Sequence, residues 1–218
     1  MRELQRTSPR TRPGAGRPTR EQAERRHEEL LDRALELFLE RGFEVSTIDA
    51  IAASVGMTKR TVYALYTDKE ALFKAAVRRA IERWNVPIET MRAAESDDLE
   101  KTLRAIARIR MLNAISPAGL RLTRIINAEA YRFPEIYRVA YEQGMRSTID
   151  YLADLLRRHA KAGTIKVAKP ELAATAFLSM VVGGPTRVFV WGGSIDEQEL
   201  EERIRYCVRL FLDGARSR

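Results

Sequence analysis

An all-α fold is predicted by three observations. Apolar residues recur at three- and four-residue intervals, no stretch alternates apolar with polar as a half-buried strand would, and helix-start signals punctuate the chain. With 218 residues the chain can bury a substantial core, as one domain or two small ones. About nine helices are expected.

The first helix carries Leu30, Leu31, Ala34, Leu35 and Phe38 on one face, and Gly42 ends it after Arg41. In the second, Ile48, Ile51, Ala52 and Val55 share a face until Gly56 breaks it. Val62 and Leu65 share a face of the third, and Met57 can plug the corner between the two. Each position has a physical task. Gly56 stands where the chain must turn sharply and a positive φ carries no steric penalty. Ala52 is small where the helices approach most closely. Thr47 and Thr58 precede the two helices and can cap their free N–H groups. This is the sequence form of a helix-turn-helix, whose second helix enters the DNA major groove. Its outward residues are Lys59, Arg60, Thr61, Tyr63 and Ala64, types that bond phosphates and base edges or are short enough to enter a groove.

Thr67-Asp68-Lys69-Glu70 reads as a capping box opening a fourth helix with Ala71, Leu72 and Phe73. Further helices are predicted over 69–92, 98–115, 117–131, 134–162, 170–191 and 196–213. Ser96 stands before Asp97 and Asp98, acids suited to a first turn. Ser116-Pro117, Phe133-Pro134 and Lys169-Pro170 each put proline where a first helical residue belongs. Ser194-Ile195-Asp196-Glu197 reads as another capping box.

The net charge of +8 is unevenly spread. Arg2, Arg6, Arg10, Arg12, Arg17 and Arg20 against Glu3 put most of it in the first twenty residues, interleaved with Pro9, Pro13, Gly14, Gly16 and Pro18. Such a segment buries too little apolar surface to fold alone, so residues 1–19 are read as a disordered basic arm. Beside a helix-turn-helix it can track phosphates or enter the minor groove; the other reading is a solvated tail. Gly16-Arg17-Pro18 resembles the centre of an AT-hook, with Ala15 in place of that motif's first arginine.

No apolar run follows the arginines as in a secretion signal. The most apolar stretch, Ala173 to Val190, is interrupted by Gly183, Gly184, Pro185 and Arg187, and no membrane span is expected. Cys207, the single cysteine, is read as a core or interface residue. A cytoplasmic protein is the expectation. His27 and His159 lie far apart in charged helical stretches, and no Gly-rich phosphate loop or Cys/His cluster is present. Catalysis, metal and cofactors are therefore not expected, and His27 is placed on a solvated helix face.

The run Thr47-Ile48-Asp49-Ala50-Ile51-Ala52-Ala53-Ser54-Val55-Gly56-Met57-Thr58-Lys59-Arg60-Thr61-Val62-Tyr63-Ala64-Leu65-Tyr66, followed by Lys69-Glu70-Ala71-Leu72-Phe73, resembles the TetR family of bacterial transcriptional regulators. The resemblance extends through residue 85; beyond it, the agreement lies in helicity and length. Three positions depart from the pattern: Val55 where alanine is usual, Arg60 where glycine is frequent, and Leu65 where a histidine or aromatic is frequent. Arg60 places a longer, charged reader in the groove, and Leu65 removes a phosphate contact.

The resemblance implies a helix-turn-helix DNA-binding domain at 20–68 and a helical regulatory and dimerisation domain at 69–218. It implies DNA contacts by Thr47, Thr58, Lys59, Arg60, Thr61, Tyr63, Tyr66 and Lys69, with Arg17 assisting from the arm. Tyr63 and Lys69 would bind phosphates, Lys69 from the start of the fourth helix. Tyr66 is open between a phosphate anchor and a core residue with its hydroxyl at the edge.

The last two helices would pair with those of a second copy through Leu172, Ala176, Phe177, Met180, Val181 and Gly184, continued by Val188, Phe189 and Trp191. Leu200, Ile204, Cys207, Val208, Phe211 and Leu212 of the final helix would join them. A small-molecule pocket is implied within the central helices, with Met91, Met111, Phe133, Tyr137, Tyr141, Phe177 and Met180 as candidate lining, though each type is first a packing residue. The expected function is a homodimeric repressor on an inverted-repeat operator in double-stranded DNA, released by a small apolar or aromatic effector. The alternative is a sequence-tolerant architectural DNA binder without effector; activation rather than repression also stays open.

Overall fold

The computed structural model describes residues 19–190 and 192–215. Arg17, with the rest of the arm, and Trp191 lie outside them. The described chain is helical and contains no strand.

Helix α1 (Arg20–Val45) opens on a capping box between Thr19 and Gln22, and breaks at Gly42, where φ is 80°. Helices α2 (Ile48–Ser54) and α3 (Lys59–Leu65) form the corner, and α4 (Lys69–Trp84) leads into the body. There follow α5 (Ile88–Ala93), α6 (Leu99–Ile115) and α7 (Pro117–Glu129). Helices α8 (Pro134–Ala140) and α9 (Arg146–Lys161) are joined by a π turn at Tyr141–Met145. A second π turn, Ser179–Gly183, joins α10 (Pro170–Leu178) to α11 (Gly184–Val190), and α12 (Glu197–Ala215) ends the fold. Counted as continuous rods, with α5 the severed end of the fourth, these are the nine helices expected.

Three local expectations are corrected. The fourth helix stops at Trp84 rather than running to 92, because Pro87 lacks a donor and disfavours helical backbone in the residue before it. The cap of α4 is Asp68, whose carboxylate accepts from Ala71 N at 2.7 Å, not Thr67. The cap of α12 is Asp196, which accepts from Glu199 N at 2.8 Å, not Ser194. In both cases the charged acceptor binds the helix N-terminus more strongly than the nearby hydroxyl.

Two hydrophobic cores result. The N-terminal one gathers Leu30, Leu31, Ala34, Phe38, Ile51, Val62, Leu72 and Phe73, together with Leu122, Ile125, Phe133 and Ile136 from α7–α8. Packing therefore carries the DNA-binding unit past residue 68, through α4. The other core is built by α5, α6 and α9–α12 around Leu103, Ile106, Leu152, Leu155, Phe177 and Val208.

The rod Pro170–Val190 is, among the described residues, the one helix long and apolar enough to cross a membrane, contrary to the expectation that its glycines and proline interrupt it. It is part of a packed bundle: Ala174, Phe177, Leu178, Val181, Val182 and Phe189 are buried in the C-terminal core.

Candidate nucleic-acid interface and regulatory core

The corner between α2 and α3 closes as a Schellman motif. Gly56 has φ 63°, Gly56 N donates to Ala53 O at 3.2 Å, and Met57 N donates to Ala52 O at 2.9 Å. Carbonyls at the end of α2 are satisfied inside the turn. Thr47 Oγ1 accepts from Ala50 N at 3.2 Å, and Thr58 Oγ1 accepts from Thr61 N at 3.1 Å. Both threonines thus serve as caps and remain exposed. Met57 and Val55 are half-buried against the N-terminal core, and Val62 is fully buried.

Beyond Val62, helix α3 faces outward. Lys59, Arg60, Thr61, Tyr63 and Ala64 are exposed, Tyr63 at 47 %. Leu65, expected on the inner face with Val62, is 49 % exposed and belongs to the outer surface. A seven-residue helix brings one residue, Val62, fully into the core, and position 65 rotates past it.

Four predicted contact residues differ in how free they are. Lys59 Nζ donates to Asp49 Oδ2 at 2.7 Å, and this hydrogen bond holds the ammonium above the ordinary lysine range. Arg60 has no hydrogen bond or ion pair among the described residues, which leaves its guanidinium free. Lys69 Nζ donates to Glu44 O at 3.0 Å and lies 4.4 Å from the centre of the Phe43 ring. Tyr66 is half-buried, shares a 2.5 Å hydrogen bond with His27 Nε2, and stacks on that ring at 5.8 Å. Burial pushes the Tyr66 phenol up. The placement favours the core reading of Tyr66 with its hydroxyl at the edge. It also corrects His27, which is half-buried because an aromatic ring 39 residues away covers it.

An aromatic cluster lies behind this surface. Phe73 packs 5.0 Å from Phe38 and 5.1 Å from Phe43, and Phe133 packs 5.0 Å from both Phe43 and Phe73. Arg132 pairs with Glu44 and lies 5.0 Å from the Phe43 centre, while Lys74 Nζ meets Glu135 at 2.7 Å. Helices α7–α8 are thereby fastened to the DNA-binding unit by packing and by charge.

The predicted pocket residues do not converge. Phe133 belongs to the aromatic cluster just described, because Pro134 starts α8 against α4. Tyr137 is 61 % and Tyr141 39 % exposed, on outward positions of the α8 rod. Met91, Met111 and Phe177 are fully buried in the C-terminal core, and Phe177 packs on Phe211 at 5.1 Å. Met180 is half-buried beside Phe211 in a surface groove.

Several interface candidates are also corrected. Phe177, Val181, Phe189, Leu200, Ile204, Cys207, Val208 and Leu212 are buried within their own core. Helical periodicity shows that a face is apolar, not whose core it joins. Leu172, Ala176, Gly184 and Val188 remain exposed; Tyr206 and Leu210 of α12, absent from the prediction, join them. A groove of about 690 Å³ runs beside them, lined by Val188, Phe189, Tyr206, Arg203, Arg205 and Arg209 among others.

Sequence reasoning missed the centre of the molecule. Arg110 of α6 is 1 % exposed. Its Nη2 donates to Gly144 O at 3.2 Å, in the first π turn, and its guanidinium lies 5.7 Å from the Trp84 ring centre. Burial lowers its pKa. Trp84 Nε1 donates to Asn113 O at 3.0 Å, and Asn113 Nδ2 returns a bond to Trp84 O at 3.2 Å. The available signal was Arg110 itself, standing at an apolar-stripe position between Ile106, Ala107 and Ala114.

A compact helical head presenting one exposed short helix on a glycine-closed corner, fastened to a larger helical body, defines a helix-turn-helix transcriptional regulator. Residues 30–76 match the model of the bacterial regulatory proteins of the tetR family, and residues 101–214 match the C-terminal domain of AefR-like transcriptional repressors. The chain belongs to the TetR family. A solved structure from Mesorhizobium loti, described as a TetR-family transcriptional regulator, is 28 % identical with a TM-score of 0.76, covering 92 % of this chain and all of that one. The flavonoid-responsive regulator FrrA is 32 % identical with a TM-score of 0.72, covering 89 % of this chain and 99 % of that one. The regulator BetI of Stenotrophomonas maltophilia is 26 % identical over 83 % of this chain and 89 % of its own length. The family is one of transcriptional regulators, not enzymes.

Proposed function

We propose that this regulator acts as a cytoplasmic homodimeric repressor on an inverted-repeat operator, with α3 in the major groove and release by an apolar or aromatic small molecule. The observation that carries the reading is the free outer face of α3, where Arg60 and Tyr63 have neither hydrogen bond nor ion pair among the described residues. Arg60 is the leading base reader, since a free guanidinium can grip guanine in two places. Lys59 reaches DNA by exchanging Asp49 for phosphate or base. Thr47, Thr58 and Thr61 stand at helix starts, where backbone N–H groups and hydroxyls meet phosphates. Tyr63 is a phosphate anchor, and Lys69 offers its remaining donors to the backbone. Arg17 and its neighbours add sequence-independent attraction.

The second copy docks on the outer faces of α11 and α12, where Val188, Tyr206 and Leu210 are more than half exposed. Two-fold pairing makes this patch meet itself and sets two copies of α3 about one DNA turn, ~34 Å, apart. An effector acts only by favouring a different spacing of that pair. FrrA, described as flavonoid-responsive, supports an aromatic effector for a chain this similar.

Selection of bound fragments from genomic DNA tests the reading. A recovered palindrome is expected. Capture without a shared motif, with a steep salt dependence, would instead point to the architectural binder. In the same assay Arg60→Ala should relax base preference by about 1–3 kcal/mol at one position of each half-site. Deleting residues 1–18 should flatten the salt dependence of binding.

A further inference from the structure

Arg110 is a charge in the interior with most of its bonding capacity unused. Its Nε and Nη1 are buried without a hydrogen-bond partner, and no carboxylate pairs with it among the described residues. One turn away on the same helical face stand Ile106, Ala107 and Ala114, all buried and apolar. Its two contacts are the Gly144 carbonyl and the face of Trp84. Two further polar atoms of the flanking helices are in the same state: Thr148 Oγ1, one turn after Gly144, and Asn85 Oδ1, beside Trp84. A buried guanidinium without counter-charge is strongly disfavoured, and a packed apolar side chain in its place is often at least as stable. An arginine enclosed there points to an anion that completes it. Nε and Nη2 share one edge of the guanidinium and form the fork that matches the two oxygens of a carboxylate, since Nη2 has a second hydrogen beside the one given to Gly144 O.

We propose that Arg110 is the recognition residue for a carboxylate carried by the effector, so that the regulator answers to organic acids rather than to neutral molecules. The inference rests on the effector-release reading above. The acid's apolar body lies against the C-terminal core, and its carboxylate takes Nε–H and the second hydrogen of Nη2 on Arg110. The position also explains how binding is felt at the DNA. Trp84, under the guanidinium, is the last residue of α4, whose first residue, Lys69, is tied to the DNA-binding unit. The first π turn holds Arg110 through Gly144 O, and turns of this kind recur at functional sites because they interrupt regular helix packing. Drawing the guanidinium toward a carboxylate loosens the bond to Gly144 and shifts the Trp84 contact, so α4 moves at the end far from DNA.

The full chain is to be melted in the presence of millimolar benzoate and hexanoate, each beside its primary amide, with sodium sulfate as the inorganic arm. A Trp191→Phe background makes Trp84 the sole tryptophan, and its emission is followed in parallel. At least one carboxylate should raise the Tm by several degrees and change Trp84 emission, since a ligand stabilises the state it binds; its amide and sulfate should do neither. Arg110→Met should abolish that preference while melting, unliganded, at or above the temperature of the native chain. Equal response to acid and amide, response retained in Arg110→Met, or no response to any carboxylate would overturn the proposal. So would sulfate acting as well as the carboxylates, or an Arg110→Met chain that melts far below the native one, which would make the guanidinium a structural part. Fragment selection without ligand judges the regulator reading separately: a palindrome with no carboxylate response sinks this inference alone.

Discussion

In the N-terminal core the buried polar side chain, Ser46, has its hydroxyl 3.1 Å from Leu37 O and 2.8 Å from Gly42 O. In the body, Arg110 and Thr148 are buried with polar atoms left without partners. The head is stiffened by four mutually packed phenylalanines and a self-satisfied corner, as a surface that must match a rigid groove requires. The body holds unmet donors in its interior, which packed proteins tolerate rarely and mostly where something else is to be bound. On the proposed reading, rigidity for reading and incompleteness for response lie in different cores, with α4 and the α7–α8 fastening between them.

Substitutions can break or sharpen this contrast. The largest effect is expected from Phe73→Ala, which removes the ring touching three other phenylalanines. It should cost about 3–5 kcal/mol in denaturant unfolding and take operator binding with it. A loss below 1 kcal/mol would show that the aromatic cluster does not stiffen the head.

Gly119→Ala comes next. A Cβ there would stand 2.5 Å from Asn113 O and 2.7 Å from Trp84 Nε1, so the reciprocal Trp84–Asn113 bonds must open. A destabilisation of about 1–3 kcal/mol and a shift in tryptophan emission are expected. Unchanged emission would mean that Trp84 is not held at this seam. Gly56→Ala meets open space, and its penalty of about 1–2 kcal/mol comes from the left-handed backbone alone. It should weaken DNA binding more than its small effect on stability suggests, because the corner sets the pose of α3.

The smallest effect concerns Glu95, bonded by Arg158 at 2.7 Å and by the Tyr151 hydroxyl at 2.8 Å. The hydrogen bond from Arg158 holds its carboxyl below the usual carboxylate range. A depressed folded pKa means stability that is present above the unfolded value, near 4.3 for glutamate, and lost as pH falls through the folded one. Glu95→Gln should therefore lower the Tm slightly at neutral pH and flatten the acid limb of a Tm-against-pH curve, the two curves converging as pH falls below the folded value. An identical acid limb in the two proteins would remove Glu95 from the account.

The helix-turn-helix was open to reading from residues because its signals are local. Gly56, Thr47, Thr58 and the spacing of inward Val62 against outward Lys59 and Arg60 act within one or two turns of backbone. The caps were nearly legible, off by one or two positions where an aspartate outcompeted a hydroxyl. The break at Pro87 was written in the chain and passed over. The pocket residues failed for another reason: Phe133 and Met111 look alike as apolar helix positions, and nothing local says that one faces phenylalanines of the head and the other a separate core.

The amino-acid sequence by itself determined the helices, the corner and the charged outer face of α3, since spacing, capping and glycine geometry are properties of neighbouring residues. Only the tertiary structure decided that Tyr66 belongs to His27, that Leu200 and Val208 turn inward while Tyr206 and Leu210 turn outward, and that Arg110 is enclosed without a counter-charge. Those outcomes depend on which distant surfaces meet. An amphipathic helix presents the same apolar face to whatever buries it.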